Sequence, residues 1–264
     1  MQTGTDSLLA HQDGAIGWIT FNNPARHNAV SLAMWEALHE VVAGYAADDT
    51  IRVVVVRGAG DRAFVSGADI SEFEEKRSTA ETTRLYNQTS QRASLALRDL
   101  NKPTIAMVRG YCVGGGVSIA LSCDLRIAAE GSSFAVPAAK LGLGYEYEGV
   151  RKLVDVVGPA FAREISYTGR QFSAQEALAM GLINRLVPAQ ALEAAVEDCA
   201  SRIAANAPLT VASIKTLVAQ ALKDESRRDM RLCEEVVERC FASDDYREGR
   251  QAFMEKRRPA FKGR

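Results

Sequence analysis

Only three histidines, His11, His27 and His39, occur in the chain, and all lie near its N-terminus. That scarcity argues against histidine-based metal chemistry. The five cysteines, Cys112, Cys123, Cys199, Cys233 and Cys240, are odd in number and form no CxxC pair. They read as reduced thiols, each a small buried hydrophobe, and not as a disulfide framework or a zinc site. No apolar run approaches the roughly 20 residues that a membrane span needs; the longest, such as Val53–Val56 and Ala138–Leu143 with its lysine, stop far short. The net charge is −1 with a pI near 6.4, so no overall field favours nucleic acid or an anionic membrane surface. The N-terminus lacks a basic stretch followed by an apolar core, so no secretory signal is expected; the reduced thiols point to a cytoplasmic location as the expectation.

What is present is ordinary globular material: 264 residues, 47% hydrophobic and 25% charged, enough for one large domain or one domain with an appendage. The first half alternates. Ala15–Phe21 and Ile51–Arg57 read as strands, with shorter candidates at Ala63–Val65, Thr104–Val108 and Leu125–Ala128. Ser31–Ala46 carries apolar residues at helical spacing behind a candidate N-cap, Ser31, and Arg84–Leu100 reads as a helix. Strands alternating with helices predict an α/β domain with much of the sheet parallel. Beyond residue 188 the pattern becomes helical, in Ala189–Ala205, Leu209–Leu222 and Ser226–Ala242. Such a region buries little surface alone and is expected to pack on the core or on a neighbouring subunit. The division is therefore a core over 1–188 and a helical region over 189–264, with residues 1–12 loosely ordered.

The most informative stretch is Lys102–Asp124, KPTIAMVRGYCVGGGVSIALSCD. An apolar strand-like run leads to three consecutive glycines and then to the helix-like Val117–Ser122. Such a turn aims backbone amides at an anion or a developing negative charge. Gly116–Ala120 also approximates the G-x-S-x-G elbow of serine hydrolases. That chemistry requires a histidine after the serine, and every histidine here precedes Ser118. A dinucleotide fingerprint fails on spacing. A second small-residue turn, Phe64-Val65-Ser66-Gly67-Ala68-Asp69-Ile70, follows another strand-like run. Two amide-presenting turns brought together can form a two-donor oxyanion hole.

The pairing of A-F-x-x-G-A-D-I with K-P-x-I-A-x-V-x-G-x-x-x-G-G-G resembles the crotonase, or enoyl-CoA hydratase/isomerase, superfamily. The likeness continues in Asn22–Ala29, Ser122–Asp124, Phe134–Leu143, Thr168–Arg170, Ala174–Leu182, Val187 and Ala252–Arg257, covering roughly residues 8–260. The resemblance implies a spiral of ββα units with a helical C-terminal trimerisation region, assembled as a homotrimer or a dimer of trimers. It implies an acyl-CoA substrate whose thioester oxygen is held by the amides of Ala68 and Gly115. No separate cofactor or metal is implied, since coenzyme A is part of the substrate. By position, Arg26 and Lys256 fall where the family contacts CoA, and Asp69 and Ile70 where it lines the adenine pocket.

Hydration of an enoyl thioester needs an acid–base pair. The positions that hold the two glutamates of hydratases are Ser118 and Ala138 here. Glu146, in Leu143–Gly149, falls where dienoyl-CoA isomerising relatives carry an aspartate. Buried beside an acyl pocket, its pKa would rise, which suits a proton shuttle. Isomerisation of a double bond is thereby favoured over hydration. Glu148 reads as charge at a helix N-terminus. Tyr145 matches a tyrosine of methylmalonyl-CoA decarboxylase, although that enzyme has a histidine at the Ala68 position and keeps a glutamate at the Ser118 position. Isomerase, decarboxylase and a CoA-ligand binder without turnover are the three readings the residues leave open.

Overall fold

A computed structural model describes residues 4–69 and 78–264; Ile70 lies outside the described residues. In chain order the strands are Leu8–Asp13 (β1), Ile16–Phe21 (β2), Val53–Gly58 (β3), Ala63–Val65 (β4), Thr104–Val108 (β5), Tyr111–Val113 (β6), Leu125–Ala129 (β7), Ser133–Ala135 (β8), Phe172–Ser173 (β9) and Arg185–Val187 (β10). They form two sheets, one of order β1-β2-β3-β5-β7-β10 and a smaller one of order β4-β6-β8-β9. The antiparallel pairs are β1–β2 at one edge of the larger sheet and β8–β9 at one edge of the smaller. All other pairings are parallel.

Each of three successive units runs a longer strand in the large sheet and a short strand in the small one, as β3–β4, β5–β6 and β7–β8. The helices Leu32–Ala47 (α1), Ala80–Asp99 (α2), Gly115–Ser122 (α3) and Tyr147–Thr168 (α4, broken at Gly158) pack around them, followed by Ala174–Ala179 (α5). The repetition of strand, strand, helix is the expected crotonase-like spiral. β3 is a run of four valines, all buried, the pattern of a strand covered on both faces. On the inner side, Phe21, Phe64, Phe134 and Phe172 are fully buried. On the outer side, Leu192, Val196 and Ala200 of Leu192–Ala204 (α6) cover Val53, Val55, Ile105 and Ile127.

Local signals set several boundaries. The Ser31 hydroxyl accepts from the Met34 amide (3.3 Å) and starts α1 as expected. Pro208 opens Pro208–Ala221 (α7), where its missing N–H costs nothing. The expectation of a loose N-terminus is wrong from Leu8 onward: β1 pairs residue for residue with β2, and Leu8 is fully buried. Its polar outer residues had hidden the strand. The three glycines also do not follow β5 directly, because β6 intervenes. The final helices are Met230–Ala242 (α8) and Asp244–Glu255 (α9), the second not anticipated. α8 buries no residue, and Phe241, Phe253 and Met254 are exposed. Among the described residues no helix is long and apolar enough to cross a membrane.

Candidate active site

The two small-residue turns meet. After β4, Gly67 and Asp69 bracket Ala68 in a bridge to Val30: the Val30 amide donates to the Gly67 carbonyl (2.8 Å), and the Asp69 amide donates to the Val30 carbonyl (3.0 Å). Successive amides of an extended chain point opposite ways, so the Ala68 amide is directed away from this bridge. The bridge is itself braced, since the Tyr86 hydroxyl donates to the Val30 carbonyl (3.3 Å) and accepts from Trp35 Nε1 (3.1 Å). On the other side, Gly114 has φ 53° and ψ −107° and passes its amide to the Ala135 carbonyl (2.8 Å). That conformation strains any residue with a Cβ. Gly115 then opens α3, where its amide has no intrahelical acceptor. A Cβ built on Gly115 would stand 3.7 Å from the Ala68 nitrogen.

Above these amides lies a cavity of about 410 Å³. Ser118 and Ala138 line it, as do Tyr145, Glu146, Glu148 and Lys152. Ser118 and Ala138 thus face one space, and neither carries a carboxylate. Glu146 lines the cavity too, but the expected burial fails. Glu146 is exposed, in the loop between a short 3-10 helix at Pro137–Leu141 and the start of α4. Among the described residues its side chain has no hydrogen-bond or ion-pair partner, even at the N-cap of α4. Glu148 is different: it lies 3.4 Å from both Arg98 and Arg151, so it is a paired carboxylate at the start of α4. The Tyr145 ring lies against Gly149 and lines the cavity. Burial pushes its phenol up to about 12, so it remains a protonated donor.

Residues 11–264 match the sequence model of the family described as enoyl-CoA hydratase/isomerase. The chain belongs to that family, within the crotonase superfamily. It is 32% identical over 263 residues to a short-chain-enoyl-CoA hydratase of Clostridium acetobutylicum, covering 98% of this chain and 99% of that one. It is 33% identical over 264 residues to a carnitinyl-CoA dehydratase of Salmonella typhi, covering 98% and 100%. Among solved structures, an enoyl-CoA hydratase/carnithine racemase from Magnetospirillum magneticum matches with a TM-score of 0.93 at 37% identity, covering 99% and 97%.

Several of the family-like motifs turn out to hold the scaffold. Asn28, fully buried at φ 55°, accepts from the Asn23 amide (2.9 Å) and donates to the carbonyls of Ala59 (2.9 Å) and Ala63 (2.7 Å). It ties the loop after β2 to the β3–β4 turn. Asp124 Oδ2 accepts from the Thr104 amide (2.7 Å), the Thr104 hydroxyl (3.0 Å) and Lys215 Nζ (2.8 Å), fastening α7 to the end of the central strands. Arg126, buried, donates to the carbonyls of Leu182, Ala120 and Cys123 and so caps the C-terminal end of α3.

The residues expected at CoA are only partly brought together. Arg26 and Asp69 form an ion pair at 2.9 Å, through Nη1 to both carboxylate oxygens. Lys256 ends α9 in a left-handed turn and does not line the cavity. No histidine lines the cavity beside Ser118, which sits within α3 and not on a strand-to-helix elbow; the hydrolase reading is closed. Lys152 was missed. It is 6% exposed, and its ammonium donates to the Ser122 hydroxyl (2.7 Å). Burial, aided by the nearby Arg98 charge, pushes it down to about 8 against the opposing pull of Glu148. A single lysine four residues after a glutamate has no signal in sequence that separates it from a solvated helical charge.

Proposed function

We propose that the protein shifts a double bond in an acyl-CoA thioester. The thioester oxygen accepts hydrogen bonds from the amides of Ala68 and Gly115, which stabilise the enolate formed when a proton leaves the carbon chain. Each well-placed donor in such a hole supplies on the order of 3 kcal/mol at the transition state. Glu146 takes the proton from one carbon and returns it to another. The observation that carries this reading is the charge distribution on the cavity wall: Ser118 and Ala138 are neutral, Glu148 is held by two arginines, and Glu146 is the carboxylate left without a partner among the described residues. Arg26, Asp69 and Lys256 serve the CoA moiety, with Lys256 reaching a site from its own or a neighbouring chain. The exposed apolar side chains of α8 and α9 suit a homotrimer or a dimer of trimers.

Decarboxylation is the second reading, favoured by one observation: the Tyr145 phenol lines the same cavity and stays protonated. It would orient a departing carboxylate while the amide pair holds the enolate. Incubation in deuterium oxide with crotonyl-CoA, a 3-enoyl-CoA and methylmalonyl-CoA, followed by mass spectrometry, tests both. Deuterium uptake with a moved double bond supports isomerisation. Loss of carbon dioxide supports the Tyr145 route, and gain of water overturns the argument from Ser118 and Ala138. Binding without change in any thioester leaves a CoA-ligand binder without turnover.

A further inference from the structure

Lys152 has no role in the chemistry proposed above, yet it is the buried cation of the cavity wall. A buried ammonium is costly unless its charge and all its N–H groups are satisfied. Here one N–H is satisfied, by Ser122 Oγ at 2.7 Å. The Ser122 hydroxyl hydrogen is itself committed to the Ser118 carbonyl (2.9 Å), so Ser122 acts towards Lys152 only as an acceptor. Among the described residues no carboxylate pairs with Lys152. Glu148, one turn earlier on α4, is shared by Arg98 and Arg151, and Arg98 adds repulsion from α2. Two ammonium donors and most of a positive charge are left without a partner.

The location gives these donors a use. Ser118 and Ser122 lie on one face of α3, a single turn apart. Gly115 and Ser122 stand at opposite ends of that helix, seven residues and about 10 Å along its axis. An acyl chain whose carbonyl is held at Gly115 and which passes Ser118 therefore runs towards Lys152. α2 adds polar side chains, Ser90, Gln91 and Ser94, to the cavity wall beside its apolar Tyr86 and Leu95, and polar groups of this kind among apolar ones fix the orientation of a ligand.

We infer that the cavity selects acyl-CoA thioesters whose chain ends in a carboxylate, a dicarboxylic acid esterified to CoA at one end, with the free carboxylate bound by Lys152. Two carboxylate oxygens match the two unused ammonium donors, and the anion compensates the buried charge. The inference rests on the acyl-CoA reading of the cavity and adds the chemistry of the far end of the chain.

The test is calorimetric titration of the intact protein at neutral pH with glutaryl-, adipyl- and suberyl-CoA, each against the neutral acyl-CoA of equal chain length. At one length at least, the carboxylated thioester binds tenfold tighter or more, and Lys152→Met reduces that ratio to near unity. The ladder on the unaltered protein stands on its own if the variant folds poorly. Equal or tighter binding of the neutral thioester at every length overturns the inference, as does a preference that survives in a folded Lys152→Met. If the neutral thioesters bind and only the preference is absent, the acyl-CoA reading stands and this inference alone falls. If no thioester of either kind binds, both fall.

Discussion

Gly115 packs against Ala68 so closely that a Cβ on the glycine would stand 3.7 Å from the Ala68 amide nitrogen. That is ordinary van der Waals contact, so Gly115→Ala is tolerated by the fold while its methyl group covers the space between the two amides. Turnover falls about 100-fold or more, the scale of losing one oxyanion donor, with the thermal midpoint little changed. Gly116→Ala behaves in the opposite sense. Its Cβ would meet the Val65 carbonyl oxygen at 2.1 Å, and overpacking of this kind costs about 2 kcal/mol or more. Activity assays paired with thermal melts on both variants check the contrast; equal thermal losses would contradict it.

Glu146→Gln keeps the shape of the side chain and removes its basicity. Isomerisation of a 3-enoyl-CoA drops by about 100-fold or more, while binding of a saturated acyl-CoA persists. Retained turnover in this variant assigns the proton transfer to another group. Because Glu146 is exposed, the substitution leaves stability unchanged.

Asn28→Asp is isosteric, yet it turns an amide that donates to the carbonyls of Ala59 and Ala63 into a carboxylate facing two acceptors. With the side chain fully buried, the cost is about 3 kcal/mol or more. Urea denaturation measures it. The loop it anchors carries Arg26, so affinity for CoA falls with stability.

Lys152 makes stability depend on pH. Burial holds its folded pKa at about 8, below the ordinary 10.5, and the charges acting on it are those of Arg98, which lowers it, and of Glu148 and Asp99, which raise it. Below pH 8 the ammonium is charged in both states, and its burial penalises the fold. Between 8 and 10.5 the folded chain releases its proton first, the unfolded chain binds more protons, and stability rises with pH. Lys152→Met is therefore stabilising by about 3 kcal/mol at pH 7, and that advantage shrinks through this window. Chemical denaturation of both proteins at pH 7 and pH 9.5 gives the comparison; an advantage that grows with pH contradicts the assignment.

Periodicity and composition were enough for the longer elements. The valine run at 53–56, the apolar strand at 104–108 and the amphipathic α1 with its Ser31 cap all lie where their residues put them, because burial on one or two faces leaves a period in the sequence. Strands of two or three residues, such as Tyr111–Val113, Ser133–Ala135 and Phe172–Ser173, are too short to show one. They exist because their neighbours in the small sheet supply their hydrogen bonds, parallel between β4, β6 and β8 and antiparallel between β8 and β9. β1 escaped for another reason: an edge strand with one solvated face reads as polar chain.

The site divides along the same line. The glycines at 114–116, the Gly67-Ala68 turn and the neutral residues Ser118 and Ala138 are facts of the sequence, because close backbone approach and proton transfer each demand particular residue types at fixed spacing. Which charged side chain is buried is not such a fact. From sequence, Glu146 was the expected buried group and Lys152 drew no notice; the fold reverses them. A side chain's environment is set by what packs over it from elsewhere in the chain. Lys152 is buried with its ammonium on Ser122 of α3, while Glu146 is left exposed.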